Sequence, residues 1–253
     1  MNVGLYTGAA GMRVGEDYQQ LISENLSLQS VPGYKQTFPV FSTDPTMVTT
    51  APQMSNGGSP AAIKMTRMID FSQGPVQPTG NPYDMAIEGK GFFEVREADG
   101  TTTYTRNGSF TVSAQGQVQT SDGAQVLGKG GSPITVSAST PGQVSIGKDG
   151  TISINGAAQG SVGVAHFDNP ATSLQPGAFG RYVATNSSDA KQGLAPNDVV
   201  LQGSLEQSNG NAVLQMADMI QATRLYEANS KSMKAVDDTQ NQLISNLGAH
   251  PQA

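Results

Sequence analysis

Cysteine and tryptophan are absent from this 253-residue chain. Without cysteine there are no disulfide staples, no thiolate catalysis and no cysteine-bound metal. Charge is also scarce. Charged residues make up 13%, about half the usual share, and 14 Lys and Arg stand against 20 Asp and Glu for a net charge of −6. So few, scattered cations do not form the concentrated basic surface that nucleic-acid phosphate requires. No run of about 18 apolar residues occurs, so no segment reads as a membrane-spanning helix. The start, Met1 to Leu5, lacks the basic and apolar blocks of a cleaved signal peptide. That points to a cytoplasmic protein or to one exported by another route.

Glycine and proline are plentiful, at 30 and 14 residues, but unevenly placed. Residues 211–247 contain neither, and the first 28 residues contain no proline. In the C-terminal stretch Met219, Ala222, Tyr226, Met233, Val236, Leu243 and Leu247 fall on a 3–4 alternation, with Asn229 and Gln240 at two intervening positions. This is a heptad-like stripe with polar interruptions, widened by Ile220, Leu225 and Ile244. Ser208, Asn209 and Asn211 are candidate N-caps, and Gly248 with Pro251 closes the helix. A helix over 211–247 would be roughly 55 Å long, too long to cap one small domain.

The N-terminal stripe runs through Leu5, Ala9, Met12, Ile22 and Leu26, interrupted by Gly4, Gly8, Gly11 and Gly15 at spacings of 4, 3 and 4. Each glycine costs about 1 kcal/mol against alanine in a helix. The same spacing collects them on one face, where a neighbouring backbone can come close. The expectation is a helix that orders only on packing. From periodicity alone two readings stand: a helical hairpin covering a β-domain, or a pair of assembly helices.

Between the ends the sequence reads as glycine-punctuated β-structure. Residues 38–80, rich in Pro, Thr, Ser and Gln, read as an extended connector with one short strand at 62–71. Beyond them, strands are expected at 83–87, 92–96, 102–105, 110–112, 117–120, 134–136, 143–146, 151–154 and 161–167. Asp99-Gly100, Asn107-Gly108, Asp122-Gly123, Asp149-Gly150 and Asn155-Gly156 supply turns that tolerate positive φ. This predicts an all-β domain of hairpins.

Catalytic readings are weak. The two histidines, His166 in an expected strand and His250 in the tail, form no nucleophile–base set by spacing. Asp84 with Glu88, or Glu97 with Asp99, could form a carboxylate pair for glycoside hydrolysis, but their positions beside turns favour solvated loops. Gly89-Lys-Gly91 and Gly128-Lys-Gly-Gly131 lack the GK[ST] of a phosphate loop. Asp149-Gly-Thr151 lacks the further ligands of a calcium loop. No catalytic, cofactor or metal residue is assigned, and the chain is not expected to be an enzyme. A secreted β-rich adhesin remains an alternative, though it leaves the long C-terminal helix without a role.

Three stretches resemble the flagellar rod and hook protein family of the bacterial basal body. Ser23-Glu-Asn-Leu-Ser-Leu-Gln-Ser-Val-Pro-Gly-Tyr-Lys35 is similar to the family's ANNLANVxTxGFK, with Asn25, Leu26, Gly33 and Lys35 matching. Asp84 to Val95, then Tyr104-Thr-Arg-Asn-Gly-Ser-Phe110, resembles DxAIxGxGFFxV…YTRxGxF. Ser208-Asn209, Met219-Ile220, Arg224 and Tyr226-Glu-Ala-Asn-Ser-Lys231 resemble the opening of the family's last helix. Departures are Glu24 and Leu28 in place of Asn, Gly210 in place of Val, and a missing acidic residue near Leu214 and Gln215.

The resemblance implies an α+β fold, with a mainly-β, hairpin-rich central domain (81–207) and a connector (36–80). Discontinuous N- and C-terminal helices (1–35 and 208–253) would pair as a coiled-coil-like domain. It implies a structural subunit of the basal-body rod that polymerises into the axial tube transmitting torque. Its partners would be other rod subunits, further copies of itself in a helical assembly, and the flagellar export apparatus. The expected assembly interface is Leu5, Met12, Ile22, Leu26, Met219, Ile220, Tyr226, Met233, Val236, Leu243 and Leu247. Leu5-Tyr6-Thr7, the short connector, Tyr104 to Gly108 and Gly130 to Val136 look more like the proximal rod subunit. Tyr226 to Lys231 leans toward the distal rod or a hook-like subunit.

Overall fold

A computed structural model describes the backbone of residues 3–44, 62–136 and 144–248. The side chains of Leu5 and Leu247, the prolines at 45, 52 and 60, and His250 lie outside the described residues. The chain divides into two compact units. One is built from the described parts of Met1–Ser27, Thr37–Met68 and Asn211–Ala253, the other from Leu28–Gln36 and Ile69–Gly210.

In the first unit, helix α1 spans Val3–Leu28 and helix α3 spans Ala212–Gly248. Strands β1 (Thr37–Asp44) and β2 (Ala62–Ile69) pair as a two-stranded sheet. The stretch read as an extended connector therefore carries a paired strand at each end of its described part. Asn211 starts α3: its Oδ1 accepts from the Val213 amide at 3.0 Å and the Leu214 amide at 3.4 Å. This satisfies donors that have no partner inside the helix.

The second unit is the β unit. Its strands are β3 (Val76–Pro78), β4 (Met85–Glu88), β5 (Phe92–Arg96), β6 (Thr102–Thr105), β7 (Phe110–Val112), β8 (Val118–Thr120) and β9 (Gln125–Val126). There follow β10 (Val144–Ile146), β11 (Thr151–Ile154), β12 (Ala157–Ser161) and β13 (Val164–His166), then the short helix α2 (Pro170–Ser173). The last strands are β14 (Leu174–Pro176), β15 (Tyr182–Ala184), β16 (Lys191–Gln192), β17 (Val199–Gln202) and β18 (Ser204–Glu206). The largest sheet runs β14-β15-β6-β5-β9-β8-β7, and β13 joins β5 to β16. Three smaller sheets are β10-β11-β12, β17-β4 and β18-β3.

Strand β5 is central and buried on both faces. Phe93 and Val95 enter a core with Met85, Ile87, Phe110, Val118 and Val126. Phe92 enters an aromatic cluster with Tyr104, Phe167 and Tyr182, where rings meet edge to face. Each such side chain contributes about 1.5–3 kcal/mol on burial. Local turn chemistry sets the hairpins. Asn155 and Gly156 both take positive φ (51° and 83°) between β11 and β12, as a two-residue hairpin turn requires. Asp99 and Asp149 each accept from the amide two residues on.

Strands expected at 92–96, 102–105, 110–112 and 151–154 form with those bounds. The expected strand at 134–136 does not. Ile134 and Val136 are buried, but this segment makes only isolated bridges, from Pro133 to Leu127 and from Thr135 to Gln117. The expected strand at 161–167 splits into β12 and β13, and Gly163 between them bonds across to Leu127.

Candidate assembly helices and the clamp at their roots

On α3 the buried and half-buried positions include Gln215, Met219, Ala222, Tyr226, Asn229, Met233, Val236 and Gln240, a continuous 4–3 series, with Ala212, Asp218 and Ser230 also half-buried. On α1 a matching series, Gly8, Gly11, Gly15, Tyr18, Ile22 and Asn25, alternates 3 and 4, with Leu21 beside it also buried. The two series run antiparallel where they meet. A Cβ on Gly8 would lie 3.7 Å from Met233 Cβ, one on Gly11 2.9 Å from Asn229 Nδ2, and one on Gly15 3.6 Å from Tyr226 Cβ. Glycines thus face large side chains, so α1 stays continuous despite its low propensity. The atoms opposite these glycines belong mostly to side chains of α3 rather than to its backbone, the exception being Tyr226 Cα 3.7 Å from a Cβ built on Gly15.

Of the expected interface residues, Ile22 is buried, and Met12, Leu26, Met219, Tyr226, Met233 and Val236 are half-buried. Ile220 and Leu243 are not drawn in; they are 56% and 57% exposed. Val213, Met216 and Ile220 recur at i, i+3 and i+7 as a second, exposed apolar face of α3, with Leu214 and Leu225 on its flank. Periodicity missed Gln215, which is buried with its Oε1 unpaired, and Asn25. The Asn25 side chain exchanges two hydrogen bonds with the Thr37 backbone at 2.6 and 3.0 Å, fixing the helix end to β1. Glu24, which stands where the family usually has Asn, pairs with Arg67 at 2.6 Å across a largely exposed surface.

Within the β unit, the residues that lead out of α1 and into α3 converge on one buried point. Lys35 Nζ donates to Glu206 Oε1 at 2.5 Å and to the Ser72 carbonyl at 2.6 Å. Arg106 Nη1 donates to Glu206 Oε2 at 3.1 Å, Nη2 donates to the Gly89 carbonyl at 2.7 Å, and the guanidinium lies over the Phe92 ring. All three side chains are at most 2% exposed. Burial lowers the Lys35 and Arg106 pKa values against the opposing pull of Glu206. Gly33, at φ 70°, packs its backbone on Arg106, where a Cβ would come within 2.2 Å of a carbonyl carbon. Its amide donates to the Glu206 carbonyl. Asn209 completes the clamp: it accepts from the Gln36 amide at 2.8 Å and donates to the Asp70 carbonyl at 2.8 Å. The three motif stretches therefore meet at Lys35, Arg106 and Asn209, joined by Glu206, which motif spacing did not reveal.

Three of the carboxylates considered for catalysis, Asp84, Glu97 and Asp99, serve as local ties, and Glu88 is exposed. Asp84 accepts from Thr79 and Asn81, and Asp99 and Asp149 stitch their own turns. Glu97 pairs with Arg181, and the His166 ring lies 3.4 Å from the Gly193 carbonyl. Among the described residues no group of three or more His, Asp or Glu gathers as a metal site, and no helix is long and apolar enough to cross a membrane.

Residues 86–154 match the flagellar hook protein FlgE/F/G D1 domain, and residues 201–247 match the flagellar basal body rod FlgEFG protein C-terminal family. The chain is 31% identical to the flagellar basal-body rod protein FlgG of Agrobacterium fabrum, covering 96% of this chain and 98% of that protein. It is 31% identical to the flagellar basal-body rod protein FlgF of Escherichia coli, covering 97% and 99%. The chain belongs to the flagellar basal-body rod protein family. FlgG of Buchnera aphidicola from Schizaphis graminum is also 31% identical, over 89% of this chain. The identity to these FlgG and FlgF proteins is 31% in each case; of the clamp residues, Arg106 falls in the first matched segment, Glu206 and Asn209 in the second, and Lys35 precedes both. It is a structural subunit of the basal body.

Proposed function

We propose that this rod subunit assembles through α1 and α3, which pair in a coiled-coil-like layer lining the axial tube and carrying torque, with the central β-domain (81–207) outside it and 36–80 as connector. The observation that carries this reading is the pair of matching 3–4 series on α1 and α3, backed by the exposed face Val213, Met216 and Ile220. The shielded series holds the two helices to each other. The second face is exposed among the described residues and serves contacts with further copies or related rod subunits. A repeating contact of that kind, with a rise per subunit, builds a helix rather than a closed ring. Helix α3 has 37 residues against 26 in α1, so its last turns, with Leu243 and Ile244 exposed, outrun α1 and reach toward the next subunit.

Export through the flagellar export apparatus, without a cleaved signal peptide, and a periplasmic position in the proximal rod complete the proposal. The test is Ile220→Asp, since Ile220 is 56% exposed. Cells carrying it should lose rod incorporation and motility while the purified variant melts like wild type. Normal rods from a Val213→Asp/Ile220→Asp double variant would remove this face from the assembly.

A further inference from the structure

Four carboxylates of the β unit are buried: Asp84, Glu94, Asp198 and Glu206. Glu206 holds Lys35 and Arg106, Asp84 accepts from Thr79 and Asn81, and Asp198 accepts from the Lys90 amide and stands in the field of Arg106. Glu94 is different. It is 3% exposed, no ion pair reaches it among the described residues, and its side-chain partner is the Gln192 amide. Burial consequently raises its pKa. The position is enforced by β5, which is paired with β6 and β13 on either side. Gly163 leaves the room for it, since a Cβ there would sit 3.0 Å from Glu94 Oε2.

Glu94 opens onto a cavity of about 390 Å³, lined also by Tyr104, Gln192, Ala184 and Arg96. The Arg96 guanidinium donates to the carbonyl of Gly131, another lining residue, at 2.7 Å, and no ion pair joins it to Glu94 among the described residues. A buried carboxylate without a cation is costly unless its partner arrives from outside. The volume lies at the small end for ligand sites, about 300–1,000 Å³, enough for one side chain or a small solute.

We propose that this cavity receives a primary ammonium group, which ion-pairs with Glu94 while its alkyl stem lies against Tyr104. A compact ammonium has three donors, enough for the carboxylate, the Tyr104 hydroxyl and the Gln192 carbonyl together. The ammonium comes either from a free small amine or from a lysine of a neighbouring subunit; only the second source rests on the rod reading above.

The probe is Nα-acetyl-lysine methylamide, titrated into the full-length protein and followed by amide NMR, with its Nε-acetylated form as the uncharged control. Shifts at Glu94, Tyr104 and Gln192 should appear with the cationic probe and be at least tenfold weaker with the control. They should vanish in Glu94→Gln and also in Ala184→Leu, which fills the cavity without touching the carboxylate and serves if Glu94→Gln does not fold. No cavity shifts at millimolar cationic probe, or equal shifts in both variants, overturns the proposal. Carbodiimide cross-linking of assembled rods then separates the sources. A Glu94–lysine bond between subunits identifies the lysine; its absence, with a positive titration, identifies the free amine. Failure of Ile220→Asp to block assembly leaves the titration result standing, so the two readings fail separately.

Discussion

The clamp and the helix faces hold their parts by opposite means. The clamp concentrates charge where water is excluded, so each member depends on every other: two cations share one carboxylate, and no solvent can replace a lost partner. The helix faces carry little charge and are built from glycine opposite methionine, asparagine and tyrosine, with further apolar residues left in water. The clamp closes its ion pairs within one chain, whereas α3 keeps exposed apolar residues. A subunit that must hold its shape while taking on neighbours needs both, one closed and one open.

Glu206→Ala should break the contrast hardest, because Lys35 and Arg106 remain buried without a counter-charge. The expected loss is about 3–5 kcal/mol, read as a fall in the calorimetric melting of the β unit. Gly11→Leu comes next. Overpacking against Asn229 should cost about 1–3 kcal/mol, seen as lost helical circular dichroism with the β unit's melting unchanged, and Asn229→Ala should restore part of it. Ile220→Asp should change stability by no more than about 0.5 kcal/mol, as for an exposed site, yet abolish rod incorporation. Glu24→Gln sharpens the scale from below. Its pair with Arg67 is largely exposed and should contribute no more than about 1 kcal/mol, diminishing with salt in denaturant titrations.

The smallest effect is a pH dependence. Glu94 has its folded pKa raised by burial, so its protonated form is favoured in the folded state. Its contribution is full below the unfolded pKa and is lost as pH rises through the folded one. Glu94→Gln should therefore melt higher than wild type at pH 7, with the gap closing as pH falls toward 4; a constant gap would mean that the carboxylate does not titrate in the folded protein.

How much of this was legible follows from how local each cause is. Both helices could be read because periodicity and the absence of breakers act within a few residues. The hairpins at 92–105 and 151–161 could be read in part because Asp-Gly and Asn-Gly write their own turns. Strands β14 to β18 could not. They are two to four residues long, and β17 and β18 pair with β4 and β3, more than a hundred residues earlier. Ile220 was grouped with the seam by its hydrophobicity, but only the placement of α1 decides which face of α3 is covered.

Composition and spacing by themselves determined the helical ends, the β middle and the lack of cysteine chemistry, and the resemblance of three motif stretches added the rod family. Those features follow from short-range preferences that every stretch of chain carries with it. Only the tertiary structure decided that Lys35, Arg106 and Glu206 neutralise one another, that the glycines of α1 fit the side chains of α3, and that Glu94 meets no cation among the described residues. Lys35 and Glu206 are 171 residues apart. Their meeting is a property of the closed fold, because burial turns charges that water would tolerate singly into charges that must be paired.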